Sequence, residues 1–350
     1  MSYRAWQISK PGNITSGNLS IATLPRPSDA DLGKTDVLVE VIAASVNPND
    51  YQVAEMTSAA ANLVKYPRHP GYDYSGRVVA IGRGVSDIRP GDLVFGRTDP
   101  VKLGGLAEFV IAPIDGLALL PEGFSAQLAG ACGNAALTAY QSIKPFVHSG
   151  DKIFLNGGAG GVGTFAIQMA KALGCHVTVS CSTEKIQLVR SLGADDVIDY
   201  RVSDVMDELL RRGKVFNLIV DLVVGSPENL FLRCKDLLLD KPKGHYVSVG
   251  SGMNMGAAAG MLVGLFLPRF LGGSKHKHET HQTRNSREDL AHIAEWLASG
   301  AVKVVVDSVY EFEDVPKAFA RLKTHRTAGK IVINVQKGQG EVEGGYKGKE

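Results

Sequence analysis

The stretch KIFLNGGAGGVGTFAIQMAKALG, residues 152–174, decides how the chain is read. Residues 152–156 are a short apolar run of the kind that forms a buried strand, and TFAIQMAKALG carries its apolar residues at helical spacing. Gly158-x-Gly160-x-x-Gly163 therefore stands between a strand and a helix, the setting in which this spacing holds the diphosphate of a dinucleotide. In that reading Gly158 makes the sharp turn, Gly160 lets the phosphates touch backbone, and Gly163 lets the helix pack closely on the strand. Gly161 and Val162 lie between them, where the free N–H groups and partial positive charge of a helix N-terminus face the anion. The bland alternative is a glycine-rich turn with no ligand. The residues behind the motif weigh against it. Strand-like runs at 176–182 (HVTVSCS), DDVIDY, 216–224 (FNLIVDLVV) and 245–251 (HYVSVGS) alternate with helical patterns at 184–192 and 205–212. Such alternation means βαβ units and a doubly wound parallel sheet, an α/β fold.

The end of the second strand separates the two nicotinamide cofactors. NAD-binding chains usually carry Asp or Glu there to grip the ribose 2′-OH. Here the residues are Ser180, Cys181, Ser182 and Thr183, with no carboxylate before Glu184. Hydroxyls followed by Lys185 suit a 2′-phosphate, which points to NADP. Arg190 and Arg201 are further candidates, though each also reads as an ordinary solvated cation.

Outward from this centre, residues 1–125 are β-rich. Runs at 37–46 (VLVEVIAASV), 76–82 (GRVVAIG) and 106–112 (LAEFVIA) are broken by turn signals PGY, RPGD and LGG, as in a barrel-like domain of antiparallel strands. Downstream, helices are expected at 287–299 and 315–324, and strands at 302–309 and 330–335. The segment 253–267 (MNMGAAAGMLVGLFL) is apolar and uncharged, but its fifteen residues fall short of the ~20 that a spanning helix needs. It reads as a buried or interface helix, with peripheral membrane contact as the other option. The tail at 337–350 is polar and Gly-rich and is expected to be disordered.

Composition excludes several classes. At 350 residues, 44% hydrophobic and 21% charged, the chain is globular and long enough for two domains. A net charge of +2 argues against a nucleic-acid partner held by phosphate neutralisation. Four cysteines lie far apart without a C-x-x-C pair, and the N-terminus lacks the apolar run of a signal peptide, so a reducing cytoplasmic setting is expected. The segment KHKHETH (275–281) gathers His276, His278 and His281, but with Lys275 and Lys277 between them it reads as a solvated loop rather than a metal site.

Several motifs occur in order: SVNPND (45–50), HPGYDYSGRV (69–78), PGDLVFG (90–96), GGLAEFV (104–110), LTAYQ (137–141), NGGAGGVG (156–163), LGADDVIDY (192–200) and TAGKIVINV (327–335). Together they make the chain resemble, nearly end to end, the medium-chain dehydrogenase/reductase superfamily, in its zinc-free quinone-oxidoreductase-like and enoyl-reductase-like branch. The resemblance implies a GroES-like β-barrel catalytic domain at 1–125, completed by 300–336, and a Rossmann NADP-binding domain at 126–299, with NADPH in the cleft. It places Asn47 and Thr138 near the nicotinamide, and the turn Val249, Gly250 and Ser251 on its flank. Gly160 to Gly163 would hold the diphosphate, and Ser182, Lys185 and Tyr200 would surround the 2′-phosphate. Lys330 would close the cleft from the C-terminal segment. Such relatives are often homodimers through the Rossmann edges, a point on which composition is silent.

Zinc-bearing members need a Cys near residues 45–50, a Gly-His-Glu near 71–73 and a four-Cys lobe. This chain has Ser45 and Asn47, then Gly71, Tyr72 and Asp73, and no Cys before Cys132, so no metal is expected. Without a Lewis acid to lower an alcohol's pKa, hydride addition to an electron-poor acceptor is the easier chemistry. The expected reaction is NADPH-dependent reduction of a small-molecule quinone or of the C=C bond of an α,β-unsaturated carbonyl. Asn47 and Tyr51 are the candidate donors to the developing oxyanion, with Tyr74 in reserve. Many relatives carry the tyrosine one position later, at Gln52, and Tyr51 reads equally as an ordinary half-buried aromatic. Two alternatives stay open: a trans-enoyl reductase for a biosynthetic polyketide or lipid intermediate, with 253–267 lining its pocket, and a non-catalytic nucleotide-binding protein that touches a membrane or partner.

Overall fold

A computed structural model describes residues 1–55, 64–98, 104–223, 227, 230–240, 242–249, 278–337 and 346–347. The segments 253–267 and 275–277, and the turn residues Gly250 and Ser251, lie outside the described residues. The chain forms two compact units, Met1–Leu137 with Arg284–Glu350, and Thr138–Thr283.

The first unit opens with an antiparallel pair, β1 (Ser2–Ile8) and β2 (Leu19–Pro25). Its central strand is β3 (Asp36–Ser45), buried along almost its whole length, which explains why VLVEVIAAS reads as a continuous apolar run. Helix α1 (Pro48–Glu55) follows directly. Strand β4 (Asp73–Ile81) pairs with β3 and with β5 (Leu93–Arg97). Strand β6 (Phe109–Pro113) lies on β3, and β7 (Leu117–Leu119) on β5. Register shifts between Leu38 and Val39 and between Val41 and Ala43 mark bulges that bend the β3–β4 ribbon, as closure towards a barrel requires. Helix α2 (Gly133–Ile143) ends this part of the chain.

The second unit runs β8 (Lys152–Asn156), α3 (Gly161–Ala172), β9 (His176–Cys181), α4 (Ile186–Ser191), β10 (Asp196–Asp199), α5 (Val205–Arg212), β11 (Leu218–Asp221), β12 (His245–Val249) and β13 (His278–His281). All six strands are parallel, in the order β10-β9-β8-β11-β12-β13. Counted from β8 this is the order 3-2-1-4-5-6, whose direction reverses between β8 and β11, and ligands of such sheets bind at that reversal. Ile153, Phe154, Leu155, Leu218, Ile219 and Val220 are all buried, because helices cover both faces. The histidine segment corrects one expectation. His278–His281 is no solvated loop but an edge strand registered on β12, where polar side chains are tolerated.

The chain then returns to the first unit through α6 (Arg287–Ala298), β14 (Val305–Glu311), α7 (Val315–Leu322) and β15 (Lys330–Asn334). Strand β15 pairs antiparallel with β3 and parallel with β14. The two ends of the chain share one core, in which the Trp6 indole donates to the Phe312 carbonyl at 2.8 Å. The boundaries differ from those the sequence pattern suggests, since α6 goes with the first unit. Its start is held there by Arg287 on Asp87 and by Asn285, which accepts from Arg97 Nη1 at 2.8 Å. Of the tail expected to be disordered, Tyr346–Lys347 forms a short strand, β16, beside β14, and 338–345 and 348–350 lie outside the described residues.

Candidate active site

The glycine loop of the second unit can be read glycine by glycine. Gly157 takes φ +94°, so the left-handed turn belongs to it and not to Gly158. A Cβ on Gly158 would lie 2.9 Å from Val179 Cβ, and one on Gly163 only 2.3 Å from the Gly157 carbonyl. Gly163 thus lets α3 press against its own loop. Gly160 differs from these three. Its φ of −78° suits any residue, and a Cβ there would meet nothing within 4 Å among the described residues. Packing among the described residues gives no reason for a glycine at 160, whereas the approach of a ligand does. Gly160 is the N-cap of α3 without a side-chain cap, so the first-turn N–H groups of Gly161, Val162 and Gly163 face that open side.

Beneath the loop, at the sheet's reversal point, runs a buried polar chain that the sequence reading missed. The Tyr246 hydroxyl donates to Asp221 Oδ2 and Asn156 Nδ2 to Asp221 Oδ1, each at 2.8 Å. Ser180 Oγ donates to Asn156 Oδ1 at 2.8 Å and accepts from the Gly157 N–H at 2.9 Å. Burial, then the Asp221 charge, pushes the Tyr246 phenol far up and keeps it a donor. The signal was a lone Asp inside the apolar run FNLIVDLVV.

After β9 the structure brings Ser182, Thr183, Lys185, Tyr200 and Arg201 to one end of the sheet. Tyr200 is half exposed, its N–H bonded to the Cys181 carbonyl, with the Arg201 guanidinium 5.8 Å from its ring centre. Two carboxylates are here as well. Asp199 accepts from Thr183 Oγ1 at 2.6 Å and from the Arg201 N–H at 2.9 Å. A hydrogen bond from Ser182 holds the exposed Glu184 carboxyl below its usual range. Arg190, in the last turn of α4, is exposed. Thr138 is buried, its hydroxyl 2.7 Å from that of Thr283, and Val249 closes β12.

In the first unit the strand ends of β3, β4 and β15 converge on a second polar cluster. Asp73 is fully buried and collects four donors: Ser45 Oγ at 2.5 Å, Asn47 Nδ2 at 2.9 Å and Lys330 Nζ at 3.0 Å on Oδ2, and the Asn134 N–H on Oδ1. Lys330 Nζ also donates to Asn47 Oδ1 at 2.7 Å. Lys330 is only 3% exposed, so its ammonium is spent inside this cluster. Asp50 caps α1, accepting from the Asn47 N–H and from the Gly71 N–H, each at 2.7 Å. Tyr51 points elsewhere: its ring belongs to the hydrophobic core, with Lys323 Nζ 5.3 Å from its centre, and burial raises its pKa. Tyr74 is completely buried, and its hydroxyl has no partner among the described residues. Sequence reading singled out Asn47 and Lys330 but gave no role to Asp50, and took Asp73 only as a missing zinc-site residue.

Asp50 makes stability depend on pH. Burial, reinforced by the Asp73 charge and opposed by the two N–H bonds, pushes its pKa up to about 7, against about 3.9 for a free Asp. Between those values the folded protein holds the extra proton, so this contribution is complete below pH 4 and is lost as pH rises towards 7. In urea unfolding, the stability difference between wild type and Asp50→Ala is expected to shrink across that window, by on the order of 1.4 kcal/mol per unit of separation. A difference that stays constant with pH would contradict it.

Comparison with known proteins agrees with this geometry. Residues 33–122 match the family model of the alcohol dehydrogenase GroES-like domain, and residues 192–333 that of zinc-binding dehydrogenase. The trans-enoyl reductase pgmF of Aspergillus terreus is 41% identical over 348 residues, covering 95% of this chain and 96% of its own length. The chain belongs to the medium-chain dehydrogenase/reductase superfamily. Within it, Homo sapiens NAD(P)H oxidoreductase RTN4IP1, mitochondrial, is 35% identical over 364 residues, covering 95% of this chain and 89% of its own. The structure of the quinone oxidoreductase from Coxiella burnetii superposes with a TM-score of 0.82 at 26% identity, covering 96% of this chain and all of that one. As a medium-chain dehydrogenase/reductase of the quinone-oxidoreductase-like and enoyl-reductase-like branch, the chain is an oxidoreductase working with a nicotinamide dinucleotide. Among the described residues, no helix is long and apolar enough to cross a membrane, and no three His, Cys, Asp or Glu are grouped to hold a metal ion.

Proposed function

We propose that the chain is an NADPH-dependent, zinc-independent reductase that transfers hydride to a quinone or to the C=C bond of an α,β-unsaturated carbonyl. The observation that carries this reading is Gly160, a glycine without a packing reason at the uncapped start of a helix, in a chain whose relatives are enoyl and quinone reductases. A bound reduced nicotinamide would supply the hydride, which carries both electrons of the reduction. The chain's own part is to bind and to stabilise charge. The N–H groups of Gly161, Val162 and Gly163 hold the diphosphate. Ser182, Lys185 and Tyr200, with Arg201, receive the 2′-phosphate. Glu184 and Asp199 stay negatively charged at this end, and the Arg201 charge acting on Glu184, together with Lys185, would have to offset them beside a 2′-phosphate. Thr138 and Val249, among the described residues, are put on the nicotinamide side by family resemblance. As hydride adds to the acceptor, the Asn47 amide donates to the oxygen on which charge collects.

Zinc independence rests on the same cluster. A dication among Asn47, Asp73 and Ser45 would sit beside the Lys330 ammonium, which already donates to two of these side chains, so the residues present do not fit a metal. The four cysteines are free and buried, which supports a reducing compartment such as the cytoplasm.

Purified protein is expected to oxidise NADPH much faster than NADH with a quinone and enone panel. Lys185→Ala should lower the NADPH-over-NADH ratio of kcat/KM by about tenfold, the size of one charge-assisted phosphate contact. Equal use of both cofactors by wild type would refute the 2′-phosphate reading. A second reading, a trans-enoyl reductase acting on a thioester-bound biosynthetic intermediate, is favoured by the 41% identity to pgmF. Comparing kcat/KM for enoyl thioesters of increasing chain length with that for small quinones separates the two.

A further inference from the structure

A carboxamide offers a donor on one side and an acceptor on the other, so Asn47 can stabilise an oxyanion only if its NH2 faces the reacting oxygen. Its orientation is dictated by two buried charges. Lys330 Nζ has protons only and lies 2.7 Å from Oδ1; the Asp73 carboxylate has lone pairs only and lies 2.9 Å from Nδ2. Flipping the amide would set NH2 against an ammonium and C=O against a carboxylate, two repulsive contacts in a site where water cannot intervene. The two charges are themselves paired at 3.0 Å, and Ser45 Oγ and the Asn134 N–H complete Asp73. No neutral arrangement of these side chains would impose one orientation. The ammonium also draws electron density through the amide carbonyl, which makes the remaining Nδ2–H a stronger donor.

We infer that Lys330 and Asp73 are positioning residues that lock the Asn47 carboxamide as a polarised hydrogen-bond donor, with its second Nδ2–H directed at the acceptor's developing oxyanion. The inference rests on the proposed reductase reading. In the step concerned, a hydride from the reduced cofactor forms a C–H bond at the β-carbon while the C=C electrons move onto the carbonyl oxygen. Nδ2–H stabilises that enolate until water protonates the α-carbon, leaving oxidised cofactor and saturated product.

The test is a mutant cycle on the full chain, with NADPH and the N-acetylcysteamine thioester of trans-2-hexenoic acid or 1,4-benzoquinone as acceptor. Asn47→Ala is expected to lower kcat about a hundredfold, the usual effect of removing one oxyanion donor. Asp73→Asn with Lys330→Met removes both charges together and should lower kcat nearly as much, with NADPH affinity within about twofold. The triple variant should lose nothing more, because the three side chains act as a unit. Losses that multiply, or a paired variant with wild-type kcat, would overturn the inference. If the paired variant does not fold, Lys330→Arg decides: still a donor-only cation, it should stay within about tenfold of wild type, and a loss as deep as that of Asn47→Ala would count against the lock. A readout independent of turnover separates this inference from the reductase reading. With 15N-asparagine labelling, the Asn47 side-chain amide, assigned by its absence in Asn47→Ala, should exchange with solvent at least about tenfold more slowly in wild type than in the paired variant. Equal exchange rates refute the lock whatever the enzyme reduces.

Discussion

Gly160→Asp is expected to abolish dinucleotide binding while leaving the fold as stable as before, or slightly more stable. The two effects have opposite signs because position 160 serves the ligand and not the protein. Its backbone suits an L residue and a Cβ meets open space among the described residues, so the side chain enters without strain. Aspartate is also a preferred N-cap and would satisfy first-turn N–H groups of α3 that have no side-chain cap at present. Those same N–H groups are the proposed diphosphate ligands. The new carboxylate would take them and repel the phosphates, and a loss of at least about a hundredfold in affinity, about 2.7 kcal/mol, is expected. Thermal unfolding and NADPH titration by fluorescence check both halves. Gly163→Ala is the contrast: its Cβ would stand 2.3 Å from a backbone carbonyl, so stability itself should fall. A Gly160→Asp protein that still binds NADPH tightly would remove the basis for the reductase reading.

The second large effect is expected at Lys330. Lys330→Met alone leaves the Asp73 carboxylate completely buried without its counter-charge, and breaking a buried pair in this way costs about 3–5 kcal/mol. Adding Asp73→Asn removes the stranded charge and should recover most of the loss, because replacing both partners of a buried pair is often close to neutral. Denaturant unfolding of the wild type, the single and the paired variant measures this. Equal stability of all three would mean that the pair is solvated in solution. The paired variant is also the one in which the orientation of Asn47 can be examined without a collapsing fold.

How much of this was visible in the chain differs from element to element. The βαβ repeat was legible because strands covered on both faces must be apolar throughout, and Ile153, Phe154 and Leu155 or Leu218, Ile219 and Val220 leave no other reading. The glycine motif was legible from its place between a strand and a helix, although the left-handed turn falls at Gly157, because spacing alone does not say which of two adjacent glycines takes the positive φ. Helix α6 was assigned to the wrong side of the boundary. Its periodicity says that one face is buried, not against what, and the contacts of Arg287 and Asn285 that place it are long-range. The histidine segment looked solvated because an edge strand may be as polar as a loop.

The sequence by itself determined the parallel sheet, the glycine loop that opens its first helix and the family, because these are written in local periodicity and in glycines at fixed spacing. Only the tertiary structure decided the buried charges. Ser45, Asn47, Asp73 and Lys330 span 286 positions and meet only where β15 pairs with β3 and β3 with β4. A lysine in TAGK carries no mark of the aspartate it will neutralise. Pairing of distant strands creates the low-dielectric setting in which one ammonium and one carboxylate can fix which way a neutral amide faces.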